Sequence, residues 1–344
     1  MSRVRVWLVL ALAMGGLIAP SPAWAGTSKV TYAPADRPGP VLHVPSPSLR
    51  SALRCTANVR NSHREPIVLL PGTTLTPHEF SWNYMPAFKA RHWPFCTVTL
   101  PHHAMSDIQV AAEYAVYAIR TVHARSGRRV QIVGHSQGGM VPRWALRFWP
   151  ATRAMVDDLV GLAPSNHGTY VANAVCTPGC APAFFQQVFE SPFIKALNSR
   201  QETFRGISYT DVYSTTVDEV VQPNLGPKGS SSLHTGGGRI ANIALQDICP
   251  VHVADHIATG TSDPVAYALA MDALTHRGPA DPARISRSVC GRPFMPAVDP
   301  VTFPTNETQI LGVVADQVAT YPHVAQPPPL KCYVYARGCP SGPR

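Results

Sequence analysis

The sequence is poor in lysine, with five among its 29 basic residues. The basic residues are scattered, and no basic run is interleaved with aromatics, which argues against nucleic-acid binding. The formal charge of +9 allows a mild attraction to anionic surfaces, although solubility and composition account for it better. None of the cysteines stands with histidines at a spacing that holds zinc. Beyond the N-terminus no apolar run is long enough to span a bilayer. These absences leave a globular protein without an evident metal, nucleic-acid or transmembrane role.

What is present fits one large domain. The chain has 344 residues and is 45% hydrophobic, enough for a full α/β core. Its 35 prolines gather toward the two ends. Arg3 and Arg5, an apolar run from Val6 to Ile18, and Ala23-Trp24-Ala25 read as a secretory signal over 1–25. The expected product is therefore secreted, soluble and extracellular. Residues 26–53, rich in Pro and Ser without a clear period, read as an irregular surface arm. Residues 54–344 read as a single catalytic domain. Its eight cysteines, an even number in an exported chain, suggest disulfides. Cys176 and Cys180 flank a turn-forming Thr177-Pro178-Gly179 and are able to close a small local bridge. Spacing alone leaves the rest of the connectivity open.

The stretch that organises the chain is Val130-Gln131-Ile132-Val133, then Gly134-His135-Ser136-Gln137-Gly138, then a helical run to Phe148. A serine between glycines at −2 and +2, on a strand-to-helix turn, is the nucleophile elbow of an α/β-hydrolase. The glycines remove side chains that would collide with the sharp turn. The Gln137 amide, at the helix N-terminus, lies where an oxyanion would form. Upstream, the strand Pro66-Ile67-Val68-Leu69-Leu70 ends in Pro71-Gly72-Thr73. That is the expected place for the second oxyanion donor, and Thr73 is the candidate.

Phe95 to Leu100 reads as a strand. Ser106-Asp107-Ile108-Gln109 reads as a capping box opening a helix that Gly127 stops. Val156 to Leu162 reads as the next strand. Alternating strands and helices predict a mostly parallel central sheet with helices on both faces. Residues 170–200 break that rhythm. Phe184, Phe185, Val188, Phe189 and Phe193 lie there on what reads as a helix, either a lid or pocket wall, or a core element, with the wall slightly favoured.

An activated serine needs a histidine and a buried carboxylate, in the chain order Ser, acid, His. Asp218 sits in the loop after the strand-like Ile207–Ser214, with Glu219 and Asp211 as rivals. His256 lies in the loop region after Ile240–Leu245, with His252 as its competitor. A helix cap is the alternative role for Asp255 beside it.

These motifs together resemble the Candida antarctica lipase B family of α/β-hydrolases. The likeness rests on Leu70-Pro71-Gly72-Thr73, on Asp107-Ile108-Gln109 through Tyr114, and on Ser136-Gln137-Gly138-Gly139. It extends to Ala163-Pro164 with Gly168-Thr169, Gln186-Gln187, Asp218-Glu219-Val220-Val221-Gln222-Pro223 and Asp255-His256. The resemblance implies Ser136 as nucleophile, Asp218 as acid, His256 as base, and Thr73 and Gln137 as oxyanion donors. It puts Gln187 on the acyl side of the substrate pocket. It also implies the bridges Cys55–Cys96, Cys249–Cys290 and Cys332–Cys339, leaving Cys176 to pair with Cys180. Two pocket positions depart from the family's best-known member: His135 stands where that protein has tryptophan, and Ser165 where it has aspartate.

The expected activity is hydrolysis of carboxylic esters, acylglycerols or related lipid esters, by a monomer that needs no cofactor or metal and touches a lipid interface transiently. An acyltransferase using the same residues, or a binding protein on a retained hydrolase scaffold, are the alternatives.

Overall fold

Strands buried on both faces read as mostly apolar runs, and such runs form the middle of the sheet. The computed structural model describes residues 30–339 apart from Thr216 and Pro227. The signal segment expected over 1–25 lies outside the described residues. From Thr31 onward the described chain forms one compact unit.

In chain order, α1 (Ser46–Ala52) leads into β1 (Leu53–Cys55), followed by β2 (Ile67–Leu70), α2 (Tyr84–Ala90), β3 (Phe95–Val98) and α3 (Ile108–Ser126). Then come β4 (Val130–His135), α4 (Gln137–Phe148), β5 (Val156–Leu162), and the short helices α5 (Tyr170–Val175), α6 (Pro182–Gln186) and α7 (Pro192–Leu197). The remainder is β6 (Ser208–Tyr213), β7 (Arg239–Ala244), α8 (Leu245–Ile248), α9 (His256–Thr261), α10 (Pro264–Thr275) and α11 (Phe303–Thr320).

The seven strands are ordered β1-β3-β2-β4-β5-β6-β7. Only the β1–β3 pair is antiparallel; the other pairs are parallel. With its helices and parallel sheet, this is the α/β-hydrolase architecture. Side chains alternate between two cores. Val68, Leu70 and Ile132 pack with α3 and α4, while Ile67, Leu69 and Val133 pack with α2 and α10. From β2 the chain moves outward to β3 and returns on the other side to β4. That reversal opens a crevice at the strands' carboxyl ends between β2 and β4, where open α/β sheets bind ligands.

Three local expectations are corrected. The 26–53 arm is not irregular throughout, because Ser46–Ala52 is helical, with Leu49 and Ala52 buried. It is also pinned down: Glu113 Oε2 accepts the His43 and Val44 amides at 2.5 and 2.8 Å, and Trp149 Nε1 donates to the Pro40 carbonyl at 2.8 Å. The cap of α3 is Asp107 rather than Ser106; its carboxylate accepts the Gln109 amide. Gly127 does end that helix in the left-handed region, φ 68°. Finally, the aromatic stretch after β5 is three short helices instead of one, because Pro182 and Pro192 each start a new first turn. Phe193 belongs to the main core, stacked on Trp144 with centroids 4.2 Å apart. Phe185 and Val188 pack in a separate small cluster with the Cys176–Cys180 bridge.

Four disulfides join Cys55–Cys96, Cys176–Cys180, Cys249–Cys290 and Cys332–Cys339. Cys55 and Cys96 are direct cross-strand partners of β1 and β3, separated by 41 residues. The bridge ties this three-residue edge strand covalently to its neighbour. Replacing both cysteines by serine is expected to lower unfolding free energy by about 2–5 kcal/mol. Urea denaturation reads this directly, and an unchanged midpoint would count against it.

Candidate active site

Ser136 stands at the end of β4 with φ 53° and ψ −123°, a strained conformation for a residue with a side chain. The turn closes only because two neighbours lack a Cβ. One on Gly134 would fall 2.0 Å from the Gly138 carbonyl oxygen, and one on Gly138 would fall 2.1 Å from that of Leu70. The second contact brings α4 directly onto β2, so the Pro71-Gly72-Thr73 turn lies against the serine. A Cβ on Gly72 would be 3.4 Å from that of Ser136. The Gln137 amide belongs to the first turn of α4, whose N–H groups have no partner within the helix.

Thr73 is held by two glutamines. Its Oγ1 accepts from Gln137 Nε2 and from Gln187 Nε2, each at 3.0 Å. The orientation of both amides is fixed independently. Gln137 Nε2 also donates to the Ala104 carbonyl at 2.9 Å, and Gln187 Nε2 to that of Ala183 at 3.2 Å. A hydroxyl has one proton and two lone pairs. With both lone pairs receiving N–H groups, the Thr73 proton is free to point elsewhere. Ser165, fully buried, donates to Gln187 Oε1 at 2.8 Å. Ser165, Gln187, Thr73 and Gln137 therefore form one hydrogen-bonded chain.

Asp218, in the loop after β6, and His256, expected in a loop but found as the first residue of α9, come together across 38 residues of chain. Nδ1 of His256 lies 3.1 Å from both Asp218 oxygens. Asp218 Oδ1 also accepts the Val220 and Val221 amides at 2.9 and 2.8 Å. Both partners are buried, His256 at 4% and Asp218 at 3% exposure. Facing two carboxylate oxygens, Nδ1 carries the ring proton, which leaves Nε2 with a lone pair. Burial works to lower the His256 pKa, but the charge and hydrogen bond of Asp218 outweigh it, and the net direction is upward.

The rivals hold other positions. Asp211 is inside β6 and fully buried, pushed up to about 8 by burial. Glu219 accepts the backbone amide of His256 at 3.2 Å. His252 Nε2 is engaged by Asp263, whose other oxygen caps α10. Asp255 is the N-cap of α9, accepting the Ala258 amide at 2.7 Å.

His135 lies beside His256, ring centroids 4.8 Å apart, with Nδ1 on Glu79. Sequence reasoning missed Glu79, which lies outside every motif. It missed the Gln137 side chain as well, having considered only its amide. Among the described residues, one carboxylate group is close enough to hold a metal ion: Glu65, Asp157 and Asp158, with oxygens within 4.8 Å. It sits at the amino ends of the strands, away from Ser136, and Arg129 pairs with Asp157 at 2.5 Å.

The comparisons agree with this architecture. Residues 64–242 match the family described as Lipase (class 2). Lipase B of Pseudozyma antarctica is 34% identical over 241 residues, 68% of this chain and 69% of its own length. The crystal structure of Aspergillus fumigatus lipase B aligns with a TM-score of 0.79 at 30% identity, over 92% of this chain and 77% of that one. A hydrolase sheet with a strained serine at its switch point, matched over more than half its length, places the chain in the class 2 lipase family.

Proposed function

We propose that this protein is a secreted carboxylic ester hydrolase acting on acylglycerols or related lipid esters through Ser136, His256 and Asp218. The observations that carry the reading are the buried His256–Asp218 pair and a serine held at φ 53° on the strand-to-helix turn. In this reading His256 Nε2 takes the Ser136 proton as the hydroxyl attacks the ester carbonyl. Asp218 holds the ring and stabilises the imidazolium that forms. The developing oxyanion is met by the amides of Thr73 and Gln137 and by the Thr73 hydroxyl. His256 then returns the proton to the leaving alcohol, and water resolves the acyl-enzyme by the same steps in reverse. Gln187 and Ser165, linked to Thr73, border the acyl side, whereas His135, 1% exposed, is packed away rather than lining an alcohol pocket. Four disulfides fit an oxidising destination. No helix among the described residues is long and apolar enough to cross a membrane.

The test is hydrolysis of p-nitrophenyl esters from acetate to palmitate by the mature protein. The expected result is a rate that persists at long chains. Activity on short chains alone would restrict the reading to an esterase. Absence of both hydrolysis and fluorophosphonate labelling at Ser136 would overturn it.

The upward shift of His256 sets the acid side of the pH profile. Only its neutral form accepts the serine proton, so kcat/KM is lost as pH falls through the raised His256 value. The midpoint of that limb is expected above the ordinary histidine value of about 6.5. A limb centred well below it would contradict the pairing with Asp218.

A further inference from the structure

Beside the proposed acid–base pair lies a second one that the reaction scheme does not use. His135 is 1% exposed, and the Glu79 side chain facing it is fully buried. Nδ1 of His135 lies 3.1 Å from Glu79 Oε2, and Nε2 lies 3.1 Å from the backbone carbonyl of His256. The other Glu79 oxygen, Oε1, accepts the Gly72 amide at 3.2 Å. The ring is packed between backbones. A Cβ on Gly260 of α9 would fall 2.2 Å from its Cδ2, and one on Gly72 would fall 3.2 Å from its Nδ1.

These contacts fix the protons. A carbonyl only accepts, so Nε2 of His135 carries a hydrogen. Glu79 Oε1 faces an N–H and cannot carry one. A single proton must therefore lie between Nδ1 and Oε2. With none, two lone pairs would face each other at 3.1 Å around an unpaired buried carboxylate; with two, donor would face donor. Both placements of the one proton leave the pair with zero net charge, which suits a buried site. Burial raises the Glu79 pKa against the opposing pull of His135, the Gly72 amide and His256, in keeping with a proton held in common.

We propose that Glu79 and His135 are a one-proton positioning pair that ties the oxyanion turn, through Gly72, to the helix carrying the base, through the His256 carbonyl. The inference rests on the roles given above to Thr73, Ser136 and His256. Gly72 adjoins Thr73, so Glu79 fixes the turn from which Thr73 reaches the oxyanion. His135 fixes the start of α9, from which His256 reaches the serine. The distance between oxyanion donors and base is thus set by a bridge of three hydrogen bonds. The bridge is also electrically silent. His256 becomes an imidazolium during turnover next to a neutral pair. The acidic groups whose charge acts on it are Asp218, Glu219 and Asp255.

The test compares Glu79→Ala with Glu79→Gln in ester hydrolysis. Glutamine can reproduce both contacts, since its oxygen accepts the Gly72 amide and its NH2 donates to Nδ1. Alanine breaks both. Glu79→Ala is expected to lower kcat about 10²-fold with little change in KM, the size of effect a misplacement near 1 Å produces. Glu79→Gln should recover most of that loss, with the acid limb of the kcat profile unmoved. Wild-type kcat in a folded Glu79→Ala protein would overturn the proposal, and so would a Glu79→Gln protein as impaired as Glu79→Ala.

If Glu79→Ala does not fold, nitrogen-15 histidine spectra of the Ser136→Ala protein decide the matter. Both ring nitrogens of His135 should give hydrogen-bonded signals, Nε2 with its own hydrogen and Nδ1 with the one it shares with Glu79. A His135 Nδ1 without a hydrogen-bonded signal would overturn the pair. Those spectra do not depend on turnover, so they stand apart from the hydrolytic reading, which fails instead if Ser136→Ala still cleaves esters.

Discussion

Ser136→Ala and His256→Ala are each expected to lower kcat by roughly 10⁵- to 10⁶-fold, because nucleophile and base act as a unit and losing either removes the covalent route. Asp218→Asn should cost about 10⁴-fold, a smaller loss, because it leaves the imidazole in place in the wrong tautomer. The geometry accounts for the ordering. With Asp218 ionised, Nδ1 of His256 donates to two oxygens at 3.1 Å. An asparagine in that place presents an NH2 toward Nδ1, which moves the ring proton to Nε2 and takes away the base. His252→Ala should retain activity, because His252 is engaged by Asp263 at the start of α10 and not by Asp218. The measurement is kcat on a p-nitrophenyl ester across all four variants, with folding checked by circular dichroism. If His252→Ala abolishes hydrolysis while His256→Ala preserves it, the base has been misassigned.

Legibility in the sequence followed from how much each feature depends on near neighbours. The elbow is a local steric problem, and Gly134 and Gly138 declare its solution within five residues. The parallel strand β2 is legible because it is buried on both faces as an unbroken apolar run, whereas β6, equally buried, carries Ser208, Thr210 and Asp211 and is less so. The stretch from Cys176 to Leu197 misled because its aromatic content outweighed Pro182 and Pro192, two helix-start signals already in plain view. The strand Leu53–Cys55 is too short to show a period, and it is defined by its pairing with β3. That Asp218 follows a strand while Asp211 lies inside it was legible from the apolar pattern around them. The choice between His256 and His252 was not, since both lie beside an aspartate in space and only long-range folding decides which one. Glu79 had no signal at all. A lone glutamate in a turn acquires meaning only when the His135 ring, 56 residues later, is seen to face it.

Thr73→Val is expected to lower kcat by about 10²- to 10³-fold, or about 3–4 kcal/mol of transition-state stabilisation, with KM nearly unchanged. Valine keeps the shape and the backbone amide and removes only the hydroxyl. Two consequences must be separated. One is the loss of an acceptor for Gln137 and Gln187. Each of those amides keeps its second partner, the carbonyls of Ala104 and Ala183, so the structural cost should be limited to about 1–3 kcal/mol of folding stability. The other is the loss of a proton that the two glutamines direct away from themselves. With both Oγ1 lone pairs engaged at 3.0 Å, that proton is available to a developing oxyanion, and nothing in valine replaces it. The ground-state carbonyl demands far less of the donor than the tetrahedral oxyanion does, which is why the loss should fall on kcat rather than on binding. Thr73→Ser restores the hydroxyl and should recover most of the rate. A Thr73→Val protein that keeps wild-type kcat would show that the oxyanion is held by the two amides alone. A protein that instead loses affinity at constant kcat would reassign Thr73 to the ground-state pocket.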